Sequence, residues 1–433
     1  MPQGRSHALS MNKLLERLVQ GGHHVVLYME RPFPEPATFG PGVETRILDF
    51  HPDYSADPFE EMGMFFDINY DAVTQIIGWS LADLSTRHVL KHHWPEFYRM
   101  VLKEDFDLVI TDTLFTSSGL IAAFRDRLAS FWDFLLYTAL WSLPLQHIVK
   151  TTAAMASVPK SIDWSSVYRE SRLSFVEYTH RIAWPMATSH DVIELPKCPE
   201  NELVHRLPED LESFVNEPTS KGTIIVAMGS IMRSYHLPES VVRGLTGFVN
   251  QLVDYRVVWS FGGGQELTGY LKAHVRTSVW IPQRDLLRHP KTMLFVTHAG
   301  LKSVKEAVCA SVPIVAMPMF GEQTLNSYYC QRAGFAEHLN KNRIQNSSYI
   351  LETVTKVLDN WKDYKLAAVR ARSLISDTIV DPLDMATFRI EQLLKWPDTQ
   401  LPQWCSKNNI GFWHQFKGVE LWLALSVTLI RVL

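Results

Sequence analysis

Residues 295–308, FVTHAGLKSVKEAV, change from the apolar residues of a buried strand to a helical pattern, with polar groups at the junction. The predicted helix begins near Val304, and its amino end would offer unpaired N–H groups and the positive end of the helix dipole. His298 and Ser303 stand beside that end as further hydrogen-bond donors. This combination of residue types suits a bound diphosphate.

The same residues also permit an interpretation without a ligand. Ser303 would then cap the helix, and Glu306, three residues further on, would complete a capping box. The segment alone leaves both interpretations open. Familiar nucleotide motifs are not present, because GxGxxG and GxxxxGK[ST] do not occur and the glycines at 262–264 lack the dinucleotide spacing.

Strands and helices alternate regularly after residue 222, which indicates βαβ units and a mostly parallel sheet covered on both faces. The predicted strands are GTIIVAMGS, YRVVWSFGG, SVWIPQ, MLFVTHAG and VPIVAMPMF, and helical stretches include SVKEAVCAS and QTLNSYYCQRAG. In such sheets ligands bind beyond the carboxyl ends of the strands. The polar or glycine residues that directly follow predicted strands are therefore expected around a binding crevice: Asp112, Gly229, Ser230, Gln283 and His298.

The first half of the chain carries fewer clear patterns. Residues 11–20 (MNKLLERLVQ) predict a helix that two glycines stop, and HHVVLYM predicts a short buried strand after it. Residues 106–112 (FDLVITD) predict a second apolar strand, and residues 124–145 are helical or buried without a clear period. The polar segment 207–222 suits a linker with one short helix. Two α/β units follow from this organisation.

The chain of 433 residues has the composition of a globular protein, with 46% hydrophobic and 20% charged residues. The formal charge is -4, and the charged residues are spread along the sequence, so electrostatic binding of nucleic acid is not predicted. The four cysteines are widely spaced, and their spacing indicates neither a disulfide framework nor a metal site. No metal or cofactor is therefore expected.

The two ends of the sequence differ in character. The first 15 residues lack the apolar core of a signal peptide. Residues 421–430 (LWLALSVTLI) are apolar but fall short of the roughly 20 residues that a bilayer span needs. Composition alone leaves a terminal core helix and a clipped membrane anchor as alternatives.

Residues 280–340 contain W-x-P-Q, T-H-x-G, E-A, V-P, P-x-F-G-[DE]-Q and a following Asn, in that order. This segment resembles the sugar-nucleotide signature of the UDP-glycosyltransferase family, in particular its animal UDP-glucuronosyltransferase branch. The resemblance implies a GT-B fold, in which two Rossmann-like domains with parallel sheets face each other. The implied parts are an acceptor-binding domain at 1–205, a linker at 206–221, a UDP-sugar domain at 222–384, a C-terminal helix at 385–400 and an apolar tail at 401–433.

The resemblance assigns the donor site to the second half, and each residue type suits its role. A flat ring and an amide suit uracil, a carboxylate accepts from the ribose hydroxyls, and helix-end donors suit a diphosphate. By resemblance the uracil is contacted by Trp280 and Gln283, the ribose by Glu306, the diphosphate by Ser230, His298, Gly300 and Ser303, and the sugar by Glu322 and Gln323.

The segment GRSHALSMNKLLERLVQGGHHV resembles the first loop and helix of the family and places His7 at its catalytic histidine. Asp112 matches the acidic partner that orients this imidazole. The implied reaction is an inverting transfer of a glucuronosyl or glucosyl group to a small lipophilic acceptor, without a metal. His7 would take the proton of the attacking hydroxyl, and Asp112 would stabilise the imidazolium that forms.

The sequence also departs from the family pattern. Met1 stands only six residues before His7, where the family has a strand preceded by a cleaved signal, so the first strand of the amino-terminal sheet is expected to be missing. The acceptor region after Asp112 is short. In the signature, Ala299 and Ser311 replace glycines and are expected to crowd a tight backbone. The remaining departures are Lys302 for the usual Asn and Glu322 for the usual Asp.

These departures keep two other functions open. One is a truncated relative that binds a UDP-sugar without transferring it, and the other is an epimerase or hydrolase of sugar nucleotides with the same architecture. By resemblance, the chain would work on the lumenal side of the endoplasmic reticulum membrane, held there by its C-terminal apolar segment. A homo-oligomer is compatible with the family.

Overall fold

The computed structural model describes residues 11–31, 39–49, parts of 92–110, 172–177, 181–182, 192–199, 205–229, 237–261, 270–319 and 322–396. Helices and strands are labelled in chain order among these residues. His7, Asp112 and Ser230 lie outside them, as does the apolar tail. Within these ranges no helix is long and apolar enough to cross a membrane.

Among the described residues, the amino-terminal half includes helix α1 (Asn12–Gln20) and two parallel pairs of strands. Helix α1 begins and ends almost as predicted and buries Leu14, Leu15 and Leu18 on one side. Strands β1 and β2 pair with each other, and β3 pairs with β4. The elements are α1 (Asn12–Gln20), β1 (Val25–Arg31), β2 (Val43–Asp49), β3 (Ser174–Val176) and β4 (Val192–Glu194).

The prediction of a buried strand over residues 106–112 is wrong for the part that the structure describes. Phe106, Leu108 and Ile110 belong to no strand, and each side chain is about two-fifths exposed, between 38% and 41%. The apolar composition of this segment suggested a strand, but a strand also needs a neighbouring strand and a covered face.

The described part of the second half contains six strands, which are β5 (Thr223–Ala227), β6 (Arg256–Ser260), β7 (Val275–Ser278), β8 (Thr292–Thr297), β9 (Ile314–Ala316) and β10 (Ala336–His338). They form one parallel sheet in the order β10-β9-β8-β5-β6-β7. The chain thus winds outward in one direction from β5 to β7 and in the other from β8 to β10. The predicted parallel sheet is confirmed, and its topological switch point lies between β5 and β8.

Helices cover both faces of this sheet, as the alternating side chains of its strands require. In β5, Ile224 and Val226 join the core on one face, while Ile225 joins the core on the other. The helices are α2 (Glu209–Val215), α3 (Glu239–Val249), α4 (Gln283–Arg288), α5 (Leu301–Cys309), α6 (Gln323–Arg332), α7 (Ser347–Asp359), α8 (Trp361–Ser376) and α9 (Pro382–Lys395). Helices α3 and α7 cover the first face, and α2, α4, α5 and α8 cover the second.

Helix α9 packs against the amino-terminal half. Its Ala386 and Ile390 form a core with Leu14 and Leu18 of α1 and with Ile193 of β4. Ion pairs add to this contact, since the Arg17 guanidinium lies 3.0 Å from the carboxylate of Asp384 and Lys197 Nζ lies 3.2 Å from that of Asp381. The last helix of the described chain therefore joins the first.

The prediction that SVWIPQ forms a strand is wrong. The strand lies earlier, at Val275–Ser278, and Val279 and Trp280 are 68% and 56% exposed. Strand β7 is the edge of the sheet and pairs only with β6. Because one side of an edge strand meets no other strand, its residues need not form an apolar run.

Helix α5 ends in a Schellman turn in which a serine takes the usual place of glycine. Val312 N–H donates to Ala307 O, Ser311 N–H donates to Val308 O, and Ser311 has φ +54°. Of the described residues, Ala299 and Ser311 are the non-glycine residues with positive φ, so both positions where glycine is replaced have a strained backbone. A side chain in this conformation costs about 1 kcal/mol or more.

Replacing Ser311 by glycine should raise the free energy of unfolding by about 0.5–1 kcal/mol, because glycine adopts this turn without strain. Urea unfolding would measure the change. Ala310→Gly is the matched control, since Ala310 has ordinary helical angles (φ -86°) and should lose stability instead. A Ser311→Gly protein that unfolds at a lower urea concentration than the parent would contradict the expectation.

Candidate active site

The predicted diphosphate site lies at the switch point of the sheet. His298 directly follows β8, and Gly229 is the second residue after the neighbouring strand β5. The imidazole lies between Gly229 and Gly300: a Cβ on Gly229 would stand 2.7 Å from the ring, and one on Gly300 would stand 2.4 Å from Nε2. Gly229 also has φ +80°. Both glycines are needed to leave room for the histidine ring.

The His298 ring is enclosed by protein although the residue keeps some contact with solvent. This burial lowers the pKa of His298 to about 4, so the imidazole is neutral at physiological pH. A neutral ring donates one hydrogen bond. Thr297 Oγ1 lies 3.4 Å from Nδ1, and a tautomer in which Nδ1 accepts from this hydroxyl carries its proton on Nε2, the atom next to Gly300.

Helix α5 begins at Leu301, three residues earlier than predicted, with Gly300 as its N-cap. Ser303 is therefore the third residue of the helix and not its cap. The capping-box interpretation of Ser303 and Glu306 is wrong, because both lie inside the helix. Gly300 has no side chain with which to cap the first-turn amides, so this helix end is suited to an anion.

Gln283, Ser303 and Glu306, which the signature assigned to uracil, diphosphate and ribose, lie together. Gln283 is the first residue of α4, and its Nε2 donates to Glu306 Oε2 at 2.7 Å and lies 3.4 Å from Ser303 Oγ. Burial raises the pKa of Glu306, against the opposing effects of Gln283, Arg284 and Lys302. The result is an enclosed acceptor that two vicinal hydroxyl groups would satisfy.

Trp280, Glu322 and Gln323 are the remaining residues that the signature assigned to the donor. Trp280 lies between β7 and α4, and 56% of it is exposed. Glu322 is the exposed N-cap of α6. Gln323 is 4% exposed, and its Oε1 accepts from Met319 N–H at 2.9 Å. The contacts of these three residues with uracil and sugar stay predictions.

A partly buried ion cluster connects helix α5 to the amino-terminal half. Lys302 Nζ and Lys305 Nζ lie 3.0 Å and 3.4 Å from Oε2 of Glu177, which follows β3. Burial alone would raise the pKa of Glu177, but the two lysines outweigh it and hold this pKa below its ordinary value. Sequence reasoning identified Lys302 only as a departure from the family pattern and missed its partner, because Glu177 lies in a segment without a recognisable pattern.

A disulfide links Cys198 to Cys309, a pairing that the spacing of the cysteines did not indicate. Their Cα atoms are 5.1 Å apart, although the residues are separated by 111 positions in sequence. Cys309 is the last residue of α5, and Cys198 belongs to the segment that follows β4. Both are nearly buried, at 7% and 1% exposure. The bond ties the segment after β4 to the helix of the diphosphate site.

Comparison with solved structures identifies the fold as that of GT-B glycosyltransferases. The glycosyltransferase of kitacinnamycin has a TM-score of 0.60 at 16% identity and covers 89% of this chain and 95% of its own. The calicheamicin glycosyltransferase CalG4 has a TM-score of 0.59 at 17% identity and covers 91% and 96%. The predicted fold class is confirmed.

The family follows from sequence. Residues 101–417 match the model described as UDP-glucoronosyl and UDP-glucosyl transferase, so the chain belongs to this family. Human UDP-glucuronosyltransferase 1A7 is 26% identical over 91% of this chain and 82% of its own length. Rat UDP-glucuronosyltransferase 2B17 is 34% identical over 44% of this chain and 34% of its own. The chain is a UDP-glycosyltransferase of the animal branch, and its donor is a UDP-sugar.

Proposed function

We propose that this chain transfers a glucuronosyl or glucosyl group from its UDP-sugar to a hydroxyl of a small lipophilic acceptor, with inversion and without a metal. The observation that carries the proposal is the contact of Gln283, Ser303 and Glu306 beside the His298 turn. These residues come from two helices, and their chemistry matches an amide, a pair of hydroxyls and an anion. Uridine diphosphate presents an amide in its uracil, a pair of hydroxyls in its ribose and an anion in its diphosphate.

In the proposed reaction, the acceptor hydroxyl gives its proton to His7 while its oxygen forms a bond to the anomeric carbon. The bond from that carbon to the diphosphate oxygen breaks on the opposite face, and the electron pair leaves with UDP. The amino end of α5 and the N–H of His298 stabilise the charge that develops on the diphosphate. Asp112 stabilises the imidazolium formed at His7.

The site of action proposed is the lumen of the endoplasmic reticulum, with the apolar segment 421–430 as the membrane contact. The Cys198–Cys309 disulfide supports this location, because such bonds persist in oxidising compartments and are rare in the cytosol. The segment itself lies outside the described residues. Its contribution is tested by membrane extraction of the full chain, in comparison with a chain ending at residue 400.

The experiment that tests the function is a calorimetric titration with UDP, UDP-glucuronic acid and UDP-glucose, followed by mass spectrometry of a panel of phenolic acceptors. Binding together with a glycoside product supports the transferase. Binding without product supports the relative that holds UDP-sugar without transfer, and turnover of UDP-sugar in the absence of acceptor supports the epimerase or hydrolase. Absence of binding would overturn the donor site.

In the same titration, Glu306→Gln should weaken UDP binding by about 10- to 100-fold, because hydrogen bonds to a charged acceptor are the stronger ones. Its unfolding free energy should not fall, because burial disfavours the ionised carboxyl that the change removes. Glu239→Gln is the matched control, since Glu239 is an exposed residue of α3 paired with Arg243. Unchanged UDP affinity in Glu306→Gln would exclude Glu306 as the ribose ligand.

A further inference from the structure

The signature segment ends with an asparagine for which the donor chemistry provides no role. Asn326 is the fourth residue of α6 and lies one turn after Glu322 and Gln323. Its side chain is 2% exposed, which excludes a wide contact with a ligand in this arrangement. Its Nδ2 donates to the backbone oxygen of Ala299 at 3.0 Å.

Ala299 is the residue whose conformation the diphosphate turn depends on. It lies between His298 and Gly300, is fully buried and has φ +61°. An alanine prefers negative φ, so this turn would relax to another backbone conformation unless a neighbouring group held it. The hydrogen bond from Asn326 is such a restraint, because it satisfies a buried carbonyl in this orientation alone.

The hydrogen bond from Asn326 also fixes the direction of the Gly300 N–H, which is a hydrogen-bond donor on the ligand side of the turn. In a trans peptide the carbonyl and the next N–H point in opposite directions. With the Ala299 carbonyl directed to Asn326, the N–H of Gly300 is directed away from α6. Gly300 is also the N-cap of α5 and lies beside Nε2 of His298. The direction of its peptide therefore determines both the geometry of the helix end and the position of the histidine ring.

We infer that Asn326 is a positioning residue of the donor site, which holds the His298–Gly300 turn in the left-handed conformation that receives the diphosphate. The inference rests on the proposed donor site. A glycine at 299 would need less support, since glycine accepts positive φ without cost. Asn326 and Ala299 should therefore be energetically coupled, and the coupling is what distinguishes positioning from ordinary packing.

The test is the dissociation constant of UDP, measured by calorimetry on the full chain, for Asn326→Ala and for the double variant with Ala299→Gly. Asn326→Ala should weaken UDP binding roughly 10-fold, because the unpaired carbonyl releases the turn. Adding Ala299→Gly should recover most of this loss, because glycine adopts positive φ without the strain that the hydrogen bond offsets. Ala299→Gly alone completes the cycle from which the coupling is calculated.

Ser327→Ala is the matched control. Ser327 is the next residue of α6 and fully buried, and its hydroxyl also makes one hydrogen bond, but to His338 Nδ1 at 2.8 Å, away from the turn. It should lose stability with UDP affinity unchanged. If Asn326→Ala does not fold, Asn326→Leu keeps the side-chain volume without the donor and should show the same loss and the same rescue.

Two results would overturn the inference alone: parental UDP affinity in a folded Asn326 variant, or a loss that Ala299→Gly does not recover. Failure of the unmodified chain to bind UDP would instead overturn the donor site on which the inference rests. The two failures are distinguishable, because the unmodified chain is measured first in the same calorimeter.

Discussion

Replacement of His7 by alanine should lower kcat for glycosyl transfer by about 10²- to 10⁴-fold, the usual contribution of a positioned general base. Without the imidazole, the acceptor hydroxyl would have to attack while it still holds its proton. The dissociation constant of UDP should change by less than about twofold, because the donor contacts come from the second half of the chain. The measurements are steady-state kinetics with a phenolic acceptor and a calorimetric titration with UDP.

His24→Ala is the matched control for the His7 variant. His24 belongs to the same half of the chain, is 74% exposed, and its Nε2 lies 2.9 Å from Glu44 Oε2 at the surface. Its loss should leave kcat unchanged. Asp112→Asn should lower kcat with UDP affinity preserved, because an amide would favour the wrong imidazole tautomer. Full transferase activity in His7→Ala would exclude His7 as the base.

The sequence predicted the second half better than the first because its elements are locally encoded. The runs at β5, β6, β8 and β9 are buried on both faces, so they are continuously apolar and easy to recognise. The position of strand β7 was predicted wrongly because a strand at the edge of a sheet can contain polar residues, so its sequence is not a recognisable apolar run. Asn346 is another example of local encoding, because its side chain caps α7 by accepting from Ser348 N–H and Tyr349 N–H.

The donor site was predictable wherever one short segment contains the whole arrangement. Ser303 and Glu306 share a helix, and Gln283 is only 20 positions away from Ser303, so the signature could carry all three. The start of α5 was misjudged because Ser303 and Glu306 fit a capping box, while Gly300 gave no comparable signal. The role of Asn326 depends on the orientation of one peptide, which no residue pattern encodes.

Contacts between residues far apart in the sequence could not be predicted. Glu177 and Lys302 are 125 positions apart, and Cys198 and Cys309 are 111 positions apart. The sequence around each of these residues does not indicate which residue it contacts. Both contacts end on helix α5, which also carries the predicted diphosphate site. The helix is therefore attached to the rest of the chain by an ion cluster near its amino end and by a covalent bond at its carboxyl end.

Loss of the Cys198–Cys309 disulfide should reduce the free energy of unfolding by about 2–4 kcal/mol. The bridge closes a loop with a sequence separation of 111 residues, and in the loop-entropy description closures of about 100 residues approach the upper end of the observed range, roughly 4.7 kcal/mol. The melting temperature of the Cys198→Ala/Cys309→Ala protein should fall by about 5–15 °C. Differential scanning calorimetry would measure the shift.

A reductant separates the effect of the bond from the effect of the lost side chains. Dithiothreitol should lower the melting temperature of the parent toward that of the double variant and leave the double variant itself unchanged. Cys330→Ala is the matched control, because Cys330 is a buried free thiol and its removal should leave the response to dithiothreitol intact. A parent whose melting temperature does not respond to the reductant would exclude a stabilising bond.

Both cysteines of the bridge are almost inaccessible to solvent, so reduction of the bond should proceed through unfolding and should accelerate with urea. Bound UDP should slow the reduction, because it stabilises the folded donor site.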